Sequence, residues 1–389
     1  MNSTTPPRPF ATKAPTRPRL LTVIPYLAVA GAERVVANLL AAMRADLFDY
    51  HLVTLRSRPG QQEHRLPPHV HRSILDSSRA ETALMSLARC FRSLRPDVIC
   101  SHIVAMNVIT AAAVALSGIR TRLVLVDHHL ATESIVSSGP FHALLPATMR
   151  WAYRRSDRIV GVSSAVLENS LRVVRTIANK GLVIPNPVVF PEMLALSEET
   201  ADHPWLNEPQ YEVVLGVGRL VLFKNFELLI DAFARVAARR PHSRLIILGS
   251  GPLHSVHDAH IRRLGLEAKA QLIGFRANPF PAMRRAGTVA VTSHSEGLST
   301  VLIEAMACGT QIVATQFSSA KETLPNWGPR PVPFTPEAVA SAIEQRLDHP
   351  DDPRRLMAWA SQFAVGPIAR RYEQLFLEVL VDGNDGCPH

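Results

Sequence analysis

Residues 213–239 read VVLGVGRLVLFKNFELLIDAFARVAAR, and their pattern decides the fold. Residues 213–217 form a short apolar run of strand length, with Gly216 and Gly218 at its end. From Glu227 onward, Leu228, Leu229, Ala232, Phe233 and Val236 recur at the spacing of one helix face. An apolar strand followed closely by an amphipathic helix is one βα unit of a parallel sheet covered by helices. Downstream, strands are expected over 245–248, 271–273, 288–292 and 311–314. Upstream, the same alternation predicts strands over 20–26, 51–55, 72–75, 97–101, 122–126, 158–162 and 182–184. A helix over 32–43 places Val35, Val36, Leu39, Leu40 and Met43 on one face. The fold class expected is α/β, with two doubly wound parallel sheets.

Dividing 389 residues by roughly 150 per domain gives two or three domains, and a break near 190–210 favours two. The first domain is expected over 20–190 and the second over 211–365. The linker between them, 191–210, carries Pro191, Pro204, Pro209 and the acidic pair Glu198 and Glu199. A last helix occupies 366–382; a return to the first domain is one route for it, and its periodicity does not choose. Residues 1–19 read as a disordered basic tail with five prolines and no apolar segment of a signal peptide, and 383–389 as a second tail.

Apolar residues make up 47% of the chain and charged residues 19%, which excludes a disordered or collagen-like protein. The longest nearly uncharged apolar stretch, 103–118, contains Asn107 and falls short of the roughly 20 residues a spanning helix needs. Four cysteines without CxxC spacing suit the reducing cytoplasm. The net charge of +9 is uneven: residues 1–190 carry 23 Lys+Arg against 11 Asp+Glu, and the remainder 19 against 22. A cationic half implies an anionic partner, whether nucleic acid, an anionic membrane surface or a phosphorylated substrate. No nucleic-acid-binding module is visible.

Three stretches carry candidate chemistry. Ala30-Gly31-Ala32-Glu33-Arg34 joins the first strand to the first helix, so Gly31 lets an anion approach unpaired N–H groups. A plain glycine turn fits equally, and the GxGxxG dinucleotide fingerprint is absent. Gly218, Arg219 and Lys224 follow the 213–217 strand, where open α/β sheets bind ligands; there two cations would hold phosphate oxygens. Glu296-Gly297-Leu298-Ser299-Thr300 forms a turn before an apolar helix containing Glu304. A carboxylate in such a helix needs a partner, either a ribose diol or an internal cation, and Ser299 and Thr300 also suit a helix cap.

Taken in order, AGAERVVANLL, GVGRLVLFKN, LGSGPL, LIGFRANPF and SEGLSTVLIEAMACGTQIVAT closely resemble bacterial glycosyltransferase family 4. The resemblance is strongest over 213–315. It implies the GT-B fold, in which two Rossmann-like domains face each other across a cleft. It further implies that Arg219 and Lys224 bind the donor diphosphate, Glu296 the donor sugar and Glu304 the nucleotide ribose. Gly31 would offer its amide to the phosphates. His128, in Asp127-His128-His129, resembles the family's acceptor-side histidine, with His129 and His102 holding equal claims. Two departures stand out: Ala30 replaces the first glycine of a Gly-Gly turn, and the usual glycine-containing segment reads Gln316-Phe317-Ser318-Ser319-Ala320-Lys321 before the matching acid Glu322.

The resemblance implies a retaining glycosyltransferase that moves a hexose or N-acetylhexosamine from a nucleotide diphosphate sugar, with UDP-sugar favoured, to a glycan or lipid-linked acceptor. No metal and no separate cofactor are expected, because no DxD-like carboxylate pair is present and an Arg/Lys pair can take its role. The cationic first half suits a peripheral position on the inner face of the cytoplasmic membrane, where residues 141–155 combine Trp151 and Tyr153 with Arg150, Arg154 and Arg155. An ordinary helix packed on the sheet is the competing reading. The alternatives of function are a sugar-nucleotide epimerase of the same fold and a non-catalytic interaction protein.

Overall fold

A computed structural model describes residues 17–27, 31–57, 66–77, 80–133, 143–174 and 178–382. The expected tail through residue 16, Ala30, the start of the helix expected from residue 141, and residues 383–389 lie outside the described residues. The first domain runs β1 (Arg19–Ile24), α1 (Ala32–Ala42), β2 (Asp49–Thr54), β3 (Val70–Ile74), α2 (Ala80–Leu94), β4 (Val98–His102) and α3 (Val104–Ser117). It continues with β5 (Arg122–Asp127), α4 (Leu145–Arg155), β6 (Arg158–Gly161), α5 (Ser164–Val174) and β7 (Gly181–Val183). Its sheet has the order β3-β2-β1-β4-β5-β6-β7, and every neighbouring pair is parallel.

After α6 (Met193–Glu198), the second domain runs β8 (Glu212–Val217), α7 (Phe226–Arg239), β9 (Ser243–Leu248), α8 (His254–Arg263), β10 (Ala270–Gly274) and α9 (Phe280–Arg285). Then come β11 (Thr288–Val291), α10 (Thr300–Ala307), β12 (Gln311–Ala314), α11 (Ala320–Thr323), α12 (Pro336–Asp348), α13 (Pro353–Ala360) and α14 (Val365–Val381). This sheet has the order β10-β9-β8-β11-β12 and is also parallel throughout. Both sheets reverse their winding beside their first strand, between β1 and β4 and between β8 and β11. Those switch points open crevices at the strands' carboxyl ends, where ligands of doubly wound sheets bind.

The strands form because they are apolar on both faces: Val213, Val214 and Leu215 of β8 are all buried. On α7, Leu229, Phe233 and Val236 are fully buried, each worth about 1.5–3 kcal/mol against exposure.

The chain passes between the domains twice, side by side. The N–H groups of Val188 and Val189 donate to Phe363 O (2.9 and 3.0 Å), and Val365 N–H returns a bond to Val189 O (2.9 Å). From there α14 packs on α1, with Phe376 edge-on to Phe48 (6.2 Å between centroids) and Arg44 N–H donating to Glu373 Oε1 (2.6 Å). Pro367 fits inside the first turn of α14, where no intrahelical donor is lost.

Three expectations change in detail. The basic tail was expected through residue 19, but β1 already begins at Arg19, whose N–H donates to Asp97 (2.7 Å). The linker contains α6, whose Met193 is buried against the core. Tyr153 does not lie on a surface for lipid: it is fully buried and donates its hydroxyl to Asp127 Oδ1 (2.6 Å). Trp151 is half-buried beneath the Arg155 guanidinium (4.4 Å).

Candidate functional site

The second domain supplies two carboxylates and two cations at its switch point. Beyond β8, Gly218 leads to Arg219, whose side chain is exposed and has no ion-pair partner among the described residues. The chain then makes one tight turn over Leu222–Lys224, ended by Asn225 in the left-handed conformation (φ 50°, ψ 47°) that asparagine tolerates. Thr292, just beyond β11, donates to Asn225 O (2.9 Å) and holds the turn against the sheet. Lys224 is thereby aimed at Glu296, with Nζ to Oε1 at 2.6 Å. The Ser293 hydroxyl donates to the same oxygen (2.7 Å), and the Ser319 hydroxyl donates to the Glu296 carbonyl (2.8 Å). The divergent 316–321 segment therefore braces the Glu296 turn with side-chain hydroxyls.

Leu298 and Ser299 are buried and Thr300 begins α10. Ser299 occupies the N-cap position, yet its hydroxyl makes no cap hydrogen bond and is buried without a partner. The expected cap is therefore not formed by this side chain. Glu304, in the next turn of α10, is 2% exposed. Its partner is an internal cation: Arg34 of α1 pairs with Glu304 Oε1 across the cleft. Burial lowers the Arg34 pKa to about 10.

On the facing domain, Gly31 caps α1 at φ 77°, a conformation that disfavours any residue with a Cβ. A Cβ there would also stand 3.0 Å from Glu33 Oε2. His102 ends β4, and His128 and His129 follow β5. His102 Nδ1 meets His128 Nε2 at 3.0 Å, and the rings stack with centroids 5.3 Å apart. Burial pushes His102 down to about 3 and His128 well below the ordinary imidazole range. His129 is surface-accessible at the cleft wall, yet the protein crowding its ring desolvates and lowers the imidazole, with Glu296 pulling upward and Lys224 pushing downward. Asp127 turns inward, accepting from Asn107 (2.9 Å), Tyr153 and Ser170 (2.6 Å each). Burial raises it to about 6 despite these bonds.

The two halves touch at the site. A Cβ on Gly297 would lie 1.9 Å from His128 O, so only glycine lets the Glu296 turn rest on the histidine loop. Ser163 Oγ donates to Gly297 O (2.7 Å). Glu322 reaches the first turn of α5, accepting from the N–H groups of Ser164 (2.7 Å) and Ala165 (3.1 Å). A carboxylate there meets unpaired donors and the positive end of the helix dipole. The structure thus brings Lys224, Glu296, Gly297, His128 and His129 together, and Glu304 to Arg34, while Arg219 points to solvent. Arg34, Ser293, Ser319 and the α5-capping role of Glu322 were missed. Arg34 had a visible signal, a cation in the first turn after Gly31.

Residues 197–362 match the glycosyl transferases group 1 family, and residues 29–189 match Glycosyltransferase Family 4. The chain belongs to glycosyltransferase family 4. Its two parallel-sheet domains are the GT-B fold. It is 29% identical over 303 residues to the N-acetylgalactosamine-N,N'-diacetylbacillosaminyl-diphospho-undecaprenol 4-alpha-N-acetylgalactosaminyltransferase of Campylobacter jejuni, covering 76% of this chain and 80% of that protein. An uncharacterized glycosyltransferase of Methanocaldococcus jannaschii is 24% identical over 273 residues, spanning 68% of this chain and 63% of its own length. Anabaena HepE, crystallised with UDP and glucose, superposes with a TM-score of 0.72 at 20% identity, covering 93% of this chain and all of that one. Among the described residues, no helix is long and apolar enough to cross a membrane.

Proposed function

We propose that this family 4 transferase moves a hexose or N-acetylhexosamine, with retention, from a nucleoside diphosphate sugar to a hydroxyl of a glycan or lipid-linked saccharide. UDP-sugar is the favoured donor, given the UDP in the HepE crystals. The undecaprenol-linked substrate named for the Campylobacter relative supports a lipid-linked acceptor in surface glycan synthesis. Glu304 carries the proposal: a buried carboxylate on α10, the helix that follows the Glu296 turn at the switch-point crevice, suits a ribose diol.

In this scheme the bond from sugar C1 to the diphosphate breaks while the acceptor oxygen bonds C1 on the same face. The acceptor proton passes to the departing diphosphate. Arg219, Lys224 and the α1 N-terminus stabilise the charge growing there, so the chain needs no divalent cation. Lys224 is held in reserve by Glu296 until the diphosphate arrives. His128 orients the sugar or acceptor and is no general base, because its burial disfavours the protonated form. A cytoplasmic site, peripheral on an anionic membrane face through the cationic first domain, completes the reading.

UDP release from a panel of UDP-sugars, in EDTA and with lipid-linked saccharides as acceptors, tests it. Arg219→Ala and Lys224→Ala should each lower release by about 100-fold. Undiminished release in both variants rejects the leaving-group scheme, and flotation of the full chain with anionic vesicles at low salt tests the membrane contact. One observation favours a second reading, a non-catalytic relative: Arg34 already neutralises Glu304. Failure to bind any nucleotide would select it.

A further inference from the structure

Behind His128 lies a buried run of polar side chains that the transfer scheme does not use. Cys100 Sγ stands 3.4 Å from His102 Nε2, and His102 Nδ1 stands 3.0 Å from His128 Nε2. Cys100, His102 and His128 are 1%, 0% and 5% exposed, so water does not compete for these groups. At the far end, His128 Nδ1 and Asn186 Oδ1 each lack a hydrogen bond of good geometry, although the Asn186 side chain lies close enough to act on the imidazole. The backbone beneath is over-determined: Ile103, directly after His102, is held at φ 78° with its N–H bonded to Val126 O (3.0 Å).

With the Asn186 amide oxygen facing the ring, one direction of hydrogen bonding suits every member of this run. A neutral imidazole has one donor and one acceptor nitrogen, so two imidazoles sharing one bond must agree on its direction. If His128 Nε2–H donated to His102, then His102 would have to donate to the thiol sulfur, a weak acceptor. His128 Nδ1 would then present a lone pair beside the unpaired Asn186 oxygen. In the other direction the thiol donates to Nε2 of His102, Nδ1–H of His102 donates to Nε2 of His128, and the His128 proton lies on Nδ1, beside the waiting acceptor. Burial pushes the Cys100 thiol far above its ordinary range, so its proton stays on sulfur.

We propose that Cys100 and His102 are positioning residues whose one-way hydrogen bonds hold His128 as the Nδ1–H tautomer, its proton turned toward Asn186 and both ring nitrogens engaged, so that the ring stands fixed beside the substrate and does not serve as a proton acceptor. The catalytic consequence rests on the transferase reading; the tautomer does not.

Long-range proton–nitrogen NMR spectra of the full chain with 15N-labelled histidine read the tautomer without any substrate. The His128 and His102 signals are identified by their loss in His128→Gln and His102→Gln. The wild-type chain is expected to show His128 protonated at Nδ1. Cys100→Ala should bring in the Nε2–H form, and Cys100→Ser, which restores a donor, should remove it. With UDP-sugar, Cys100→Ala should lower kcat by about fivefold to tenfold at unchanged KM, and Cys100→Ser should recover it. A wild-type His128 protonated at Nε2, or an unchanged tautomer in Cys100→Ala, overturns the proposal. A shifted tautomer with unchanged kcat overturns the positioning role. A wild-type chain that releases no UDP refutes the transferase reading separately, since the spectra need no substrate.

Discussion

Replacing Arg34 by alanine removes the partner of Glu304, whose side chain is 3% exposed, and leaves a carboxylate between two domains. Breaking a buried ion pair from one side costs about 3–5 kcal/mol where the remaining charge stays dry. Here the cleft can open to water and Arg34 itself is 19% exposed, so about 2–3 kcal/mol is expected. At roughly 2–4 °C per kcal/mol for domains of this size, Tm should fall by about 5–10 °C. Glu304→Gln in the same background removes the stranded charge and should return most of the loss, a coupling of about 2 kcal/mol. Differential scanning calorimetry of the four proteins measures the cycle. Saturating UDP should raise the Tm of Arg34→Ala more than that of wild type, since ribose hydroxyls would supply the missing donors. Additivity within about 0.5 kcal/mol would refute the claim that Arg34 is what makes a buried Glu304 tolerable.

Three further outcomes are expected. Glu296→Ala should lower turnover by about 100-fold while leaving UDP affinity near wild type, and Glu304→Ala should chiefly weaken UDP; steady-state kinetics with calorimetry ranks them, and the reverse order would exchange their roles. Glu322→Gln should cost about 1 kcal/mol by weakening the cap on α5, read as a lower Tm that high salt partly masks. His102, held at about 3 when folded, binds fewer protons than the unfolded chain between pH 3 and its ordinary value near 6.5. Its contribution to stability is therefore present above about pH 6.5 and is lost as pH falls toward 3, at up to about 1.4 kcal/mol per unit. Urea unfolding of His102→Gln across that range should show a shallower acid slope than wild type; parallel slopes would contradict the burial.

The strands were legible because each is a short apolar run with punctuation at its end, as in Val213 to Val217 before Gly218. Lys224 and Glu296 were legible as candidates because they follow strand ends, where loops of a doubly wound sheet gather. Their bond to each other was not, since it depends on the left-handed turn at Asn225 that aims Lys224 across β11. Glu304 was recognised as needing a partner, with a ribose and an internal cation both open. The choice of Arg34, 270 residues away, is made by the approach of two domains and leaves no trace in local pattern. The same holds for Glu322, whose carboxylate accepts from N–H groups on α5 of the other domain. Tyr153 shows the opposite failure: an aromatic next to arginines looks like an interfacial residue, whereas its hydroxyl had a buried carboxylate to satisfy.

The proposed donor site is the cleft between Glu304 and the α1 N-terminus, where a nucleoside diphosphate sugar would be held without a metal. Titration calorimetry of the full chain in EDTA, against UDP, other nucleoside diphosphates and their sugar conjugates, tests it most directly. Micromolar binding of one nucleotide and its conjugate, lost in Glu304→Ala and Lys224→Ala, is the result expected. A folded protein that binds none of them, or binds only after a divalent cation is added, would contradict it.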